Sequence, residues 1–121
     1  MGVIWHGTYL RYFEDGREAF GREYGLTYLN VYENGFYIPI VKSEIDHKSI
    51  VQYGDEIEIK ITLIPTPAAK IIFEYEVYNV TRDALAATGK TVQIFMDAKT
   101  HELHLGRPNF YDEWLNDQGI K

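Results

Sequence analysis

Between residues 8 and 24 the apolar positions Tyr9, Phe13, Phe20 and Tyr24 recur at three-to-four spacing, with Glu14, Arg17, Glu18 and Arg22 between them. That period predicts an amphipathic helix from Thr8, its capping residue, to about Tyr24, with Gly25 ending it. Gly16 inside the helix costs up to ~1 kcal/mol relative to Ala, so it either permits close approach to another backbone or stands there by chance. Beyond the helix the period shifts from about 3.6 to 2, and four strand-like segments follow. Asn34-Gly35 opens the first, from Phe36 to about Val51, in which Lys42, Glu44 and Asp46 mark a half-exposed strand. Gly54-Asp55 turns the chain back. Ile57, Ile59, Ile61 and Leu63 then alternate with Glu58, Lys60 and Thr62, the clearest one-face-buried pattern in the chain, until Pro65 and Pro67 stop it. Ile71 to Val80 is the next strand. After the Thr81-Arg82-Asp83 turn comes Ala84 to Met96, rich in Ala, Thr and Val and expected to be central. Asn109 to Asn116, following Pro108, predicts a short closing helix.

One long helix followed by an antiparallel meander is an α+β arrangement, in which the apolar face of the sheet must cover something, and the long helix is the available partner. A sheet wrapped around one N-terminal helix is the hotdog architecture. The 121 residues read as one domain, long enough to bury roughly two-thirds of the unfolded surface.

Composition narrows the chemistry. Cysteine is absent, which excludes thiol nucleophiles, disulfides and thiolate metal sites. No apolar run approaches the ~20 residues of a membrane helix, and no signal peptide is apparent, so the expected location is cytoplasmic, without membrane insertion. The formal charge of −6 argues against nucleic acid as a partner. A small polyanionic ligand needs only a few local cations, and Lys60, Lys70, Arg82 and Lys90 fall in the strand-rich half. Ten tyrosines suit a subunit interface or a ligand groove, and equally a scatter over sheet faces.

Candidate chemistry gathers at the start. A short apolar run, Gly2-Val3-Ile4-Trp5, stops at a His6-Gly7-Thr8 corner, where an imidazole and free backbone N–H groups meet the beginning of the helix. The stretch Gly2-Val3-Ile4-Trp5-His6-Gly7-Thr8-Tyr9-Leu10-Arg11-Tyr12-Phe13-Glu14-Asp15-Gly16-Arg17 resembles the signature of 4-hydroxybenzoyl-CoA thioesterase-like hotdog proteins. Gly2, Val3, His6, Tyr9, Phe13, Glu14 and Arg17 match it position by position. Gly25-Leu26, the strand from Ile40 to Ile45, Tyr53-Gly54-Asp55, and Gly89 with Val92 and Phe95 extend the likeness more weakly along the chain.

The resemblance implies an acyl-CoA thioesterase working in a groove at a dimer interface, with no cofactor beyond the coenzyme A of the substrate and no metal. Homodimer or homotetramer is the expected assembly. The helix N-terminus would stabilise the oxyanion, with Gly7, Thr8 and Phe13 binding substrate and His6, Tyr9 and Glu14 as candidate catalytic groups. For His6 the alternative is a histidine holding the corner, for Tyr9 core packing, and for Glu14 a structural pairing with Arg11 or Arg17. The family's aspartate stands three positions before the glycine matched by Gly2 and is not among these residues. One expectation is that the chain begins downstream of the true start; the other is an acyl-CoA or acyl-carrier binding protein that lacks the catalytic carboxylate. A hotdog dehydratase is a more distant alternative. His101-Glu102-Leu103-His104 does not have zinc-helix spacing and reads as a surface turn. Asp46, His47 and Lys48 either line the groove or form a polar bulge.

Overall fold

A computed structural model of the chain describes residues 7–120. Helix α1 runs Gly7–Tyr24, α2 Tyr28–Glu33, and α3 Asn109–Asp117. The strands are β1 Phe36–Tyr37, β2 Ile40–His47, β3 Ile57–Ile64, β4 Lys70–Asn79, β5 Ala84–Ile94 and β6 Met96–Asp97. Four strands form an antiparallel sheet in the order β2-β5-β4-β3, and β1 pairs separately with β6. The long helix lies on one face of the sheet, as the period change predicts.

At its N-terminus α1 differs in detail from the pattern read in the sequence, and at its C-terminus Gly25 ends it as expected. Because α1 already includes Gly7, Thr8 lies within the first turn and is not the cap. At the other end Gly25 adopts φ +77°, and the N–H groups of Gly25 and Leu26 both donate to the Gly21 carbonyl. This left-handed exit folds the chain back over the helix. The close-approach glycine is therefore Gly21, where a Cβ would lie 2.6 Å from the Leu26 oxygen. Gly16 faces side chains alone, with a Cβ there 3.4 Å from Ile59 and 4.0 Å from Ile61. Helix α2 carries no apolar period visible in the sequence. A reciprocal capping box between Thr27 and Asn30 starts it.

The segment predicted as one strand from Phe36 to Val51 is broken at Pro39, which has no N–H to offer the ladder. Its two parts join different sheets: Phe36 opposes Asp97, whereas Ile40 opposes Gln93. The Gly54-Asp55 turn does not make a hairpin either. β2 pairs with β5, at the opposite edge of the sheet from β3, so the connection crosses the sheet. β5 is central, as its small and β-branched residues imply, and α3 appears where Pro108 precedes it.

Alternation in β4 puts Ile71, Phe73, Tyr75 and Val77 on the helix side and Glu74 and Glu76 outside. The tightest point of the core is a three-residue stack. Phe13 is fully buried and lies parallel to Tyr75, with ring centroids 4.2 Å apart. Tyr75 in turn faces Gly89 across the β4–β5 ladder. A Cβ on Gly89 would sit 2.2 Å from Phe13 Cζ, so only glycine admits the ring.

At the far turn Asp55 accepts from the Gln52 N–H, from Asn79 Nδ2 and from Arg82 Nε, at 2.8–2.9 Å. These three donors pull its carboxyl down to about 2.

Two outcomes are expected. Gly89→Ala destabilises the fold by roughly 1–3 kcal/mol in urea denaturation, and adding Phe13→Leu recovers part of the loss. Because the folded pKa of Asp55 is below its unfolded value, its contribution to stability is complete above about pH 4 and is lost as pH falls toward and through 2. Urea midpoints measured down this range should fall less steeply for Asp55→Asn than for the parent.

Candidate active site and an adjoining cavity

The first N–H groups of α1 have no partner within the helix, and no acidic residue stands in its first turn. Gly7 and Thr8 lie here, with Thr8 half-buried. His6 lies outside the described residues. Tyr9 is almost wholly buried, edge-on to Tyr12 at 5.7 Å and to His47 at 4.8 Å. Burial, and secondarily the neighbouring Tyr12, raises the Tyr9 phenol above its ordinary value. It stays protonated and able to donate at neutral pH. The contact with His47 ties the end of β2 to the head of α1 and brings together two residues that are far apart in sequence.

Glu14 points to solvent and makes no ion pair among the described residues. The expected pairing with Arg11 or Arg17 is absent, and for Arg17 the reason is direction. Tyr9, Phe13 and Arg17 form one i, i+4 row, and that row is the buried face of the helix. Arg17 is 9% exposed, on the face opposite to the polar stripe assigned from sequence. Its Nη1 donates to the Tyr75 hydroxyl at 3.0 Å and its Nε to the Tyr28 hydroxyl at 3.4 Å. The Tyr75 hydroxyl also shares a 2.6 Å hydrogen bond with Thr91. Phe13, a candidate substrate contact, belongs to the core stack.

Behind this row lies a cavity of about 250 Å³ between α1, α2 and the sheet, walled by Arg17, Leu26, Tyr28, Ile38, Ile71, Phe73 and Gln93. Gln93 is 1% exposed. Its Nε2 donates to the Ile38 carbonyl, which the Pro39 break leaves without a ladder partner, and its buried Oε1 has none. Sequence reasoning passed over Gln93 and Tyr28; the legible signal was the strict four-residue spacing that places Arg17 in line with Phe13.

Lys60 pairs with Glu76 at 3.9 Å, Lys90 stands opposite Glu44 and Glu74 on the outer face of the sheet, and Arg82 holds Asp55. Lys70 is exposed at the start of β4. His101 and His104 rest against the rings of Tyr37 and Phe36, and no group of three or more metal-ligating side chains occurs among the described residues. No helix among them is long and apolar enough to cross a membrane.

Residues 1–117 match the family profile of the Thioesterase-like superfamily. The chain belongs to this superfamily. YneP of Bacillus subtilis (strain 168), which carries the name acyl-CoA thioesterase, is 28% identical over 79 residues, covering 65% of this chain and 57% of that protein. The chain thus spans little more than half of the Bacillus relative's length. A protein of Aquifex aeolicus (strain VF5) named as an esterase is 26% identical over 102 residues, covering 78% of this chain and 80% of its own. In structure, the DHNA-CoA thioesterase of Staphylococcus aureus superposes with a TM-score of 0.80 at 24% identity, covering 100% of this chain and 86% of the other. The fold is the hotdog fold, with the antiparallel sheet laid around the long helix.

Tyr75→Phe keeps the ring stack but takes an acceptor from buried Arg17 and a partner from Thr91. Urea denaturation should show a loss of roughly 1–3 kcal/mol.

Proposed function

We propose that this chain is an acyl-CoA thioesterase, hydrolysing an acyl-CoA thioester to the free acid and CoA. The observation that carries the reading is the superfamily match along almost the whole chain, coupled to an α1 N-terminus with no acidic residue in its first turn. The thioester carbonyl would sit against the backbone from His6 to Thr8, where the helix dipole and first-turn N–H groups that have no acceptor within the helix would favour the developing oxyanion. Tyr9, held protonated by its burial, supplies a further donor, and His6 would relay a proton to the departing thiolate. The reaction needs a carboxylate to attack the carbonyl or to activate water. In the family that group precedes the position of Gly2 by three residues; within this chain Glu14 is the substitute.

The groove is completed by a second copy, as a homodimer or homotetramer. Support comes from the edge strand β2, which is exposed along nearly its whole length, and from exposed Ile40, Val41, Ile50 and Tyr53 near it.

A second reading, an acyl-CoA or acyl-carrier binding protein, is favoured by one observation: Glu14 is exposed on the face of α1 turned away from the sheet.

The two separate in one assay of thiol release from short, long and aromatic acyl-CoAs. A version carrying an aspartate three positions before Gly2 should turn over at least ~100-fold faster than the present chain, the scale of a positioned base. Glu14→Gln should abolish any residual turnover of the present chain without unfolding it. Tight binding with no hydrolysis by either version would instead establish the binding protein.

A further inference from the structure

The cavity contains an electrostatic imbalance. Arg17 is a permanent cation, 9% exposed, and no carboxylate lies within ion-pair distance of it among the described residues. Glu18, which also borders the cavity, is 3.8 Å from Arg22 and balances that residue. Two of the three guanidinium nitrogens meet tyrosine hydroxyls, and Nη2 has no protein acceptor among the described residues. Neutral hydroxyls accept hydrogen bonds but do not compensate a charge, and an uncompensated buried cation is costly. The Tyr28 hydroxyl accepts from Arg17 and keeps its own proton free to donate. Gln93 Oε1, on the same wall, is buried and has no hydrogen-bond partner among the described residues. Hydrocarbon alone filling this space would leave both groups unsatisfied.

We propose that this cavity receives the far end of an acyl group that carries a terminal carboxylate, with Arg17 as its counter-ion and the Tyr28 hydroxyl as a second donor. A water held between the carboxylate and Gln93 Oε1 supplies the donor that Gln93 lacks. The substrate class is thus an ω-carboxyacyl thioester. This deepens the thioesterase reading and rests on it for the attachment to CoA; the recognition of the carboxylate does not. Arg17 is ten residues along α1 from Gly7, about 15 Å of helix. The direct path is filled by Phe13 and Tyr75. Exposed β2 spans the same interval, with His47 beside Tyr9 at one end and Ile38 on the cavity wall just before the other, so the chain of the acyl group runs along β2.

Calorimetric titration of the intact chain with matched pairs, dodecanedioyl-CoA against dodecanoyl-CoA and their ten-, fourteen- and sixteen-carbon counterparts, tests this. At one length or more the carboxy-ended ester should bind at least tenfold more tightly, as a charge-assisted hydrogen bond requires. Arg17→Gln should remove that preference while leaving the methyl-ended affinity within about twofold. Should Arg17→Gln fail to fold, Tyr28→Phe, at a largely exposed residue, should lower the preference about threefold. Equal or tighter binding of the methyl-ended esters at every length overturns the proposal, as does an ω-hydroxyacyl-CoA that matches the carboxy-ended ester at the length where the preference appears. If no CoA ester binds, the thioesterase reading fails. Free octanoate against 1-octanol then decides the carboxylate site by itself: a preference for octanoate that Arg17→Gln removes sustains it, and no preference overturns it.

Discussion

The structure turns on the stack of Phe13 over Tyr75 above Gly89. A helix laid on a sheet can slide or rotate unless some contact fixes its height and phase, and here one aromatic ring enters the space that a missing Cβ leaves. The interlock sets which side of α1 is buried, and residues four positions on either side follow. Tyr9 is thereby directed to His47, and Arg17 to the hydroxyl of the same Tyr75 that forms the stack. Packing and polar chemistry share one residue: the Tyr75 ring holds the helix down while its oxygen joins Arg17 to Thr91.

Two places along α1 follow from that phase. At its head lie a buried, protonated tyrosine and a histidine brought in from β2. Toward its tail, a buried guanidinium opens on an apolar cavity. Strand β2 connects them, and its exposure is consistent with a groove finished by another copy of the chain. The break at Pro39 contributes to the second, because it frees the Ile38 carbonyl, and the side chain of Gln93 turns inward to satisfy it. A local interruption of the ladder therefore determines one polar wall of the cavity.

The residues that sequence reasoning placed differently show how charge can mislead. Arg17 carries a charge, and an average over polar and apolar positions puts it on the wet face. The structure buries it because a row of i, i+4 neighbours cannot leave the helix face set by Phe13, and because the hydroxyls of Tyr75 and Tyr28 await it. Glu14 is the reverse case: adjacent to Phe13, it must point away from the sheet, where neither Arg11 nor Arg17 pairs with it.

By itself the sequence determined the long helix and its glycine stop, the alternation of β3, the small-residue character of the central strand, the closing helix and the likeness to thioesterase-like hotdog proteins. Those features are local or periodic, and period and turn chemistry are written directly in the residues. Only the tertiary structure decided that β2 lies beside β5 and away from β3, that Tyr9 touches His47, that Gly21 and Gly89 are the glycines of close approach, and that Arg17 faces a cavity with Gln93. These depend on which distant segments share a face. That choice is made by the fit of side-chain volumes and hydrogen-bond partners across the sheet, and it leaves no periodic trace along the chain.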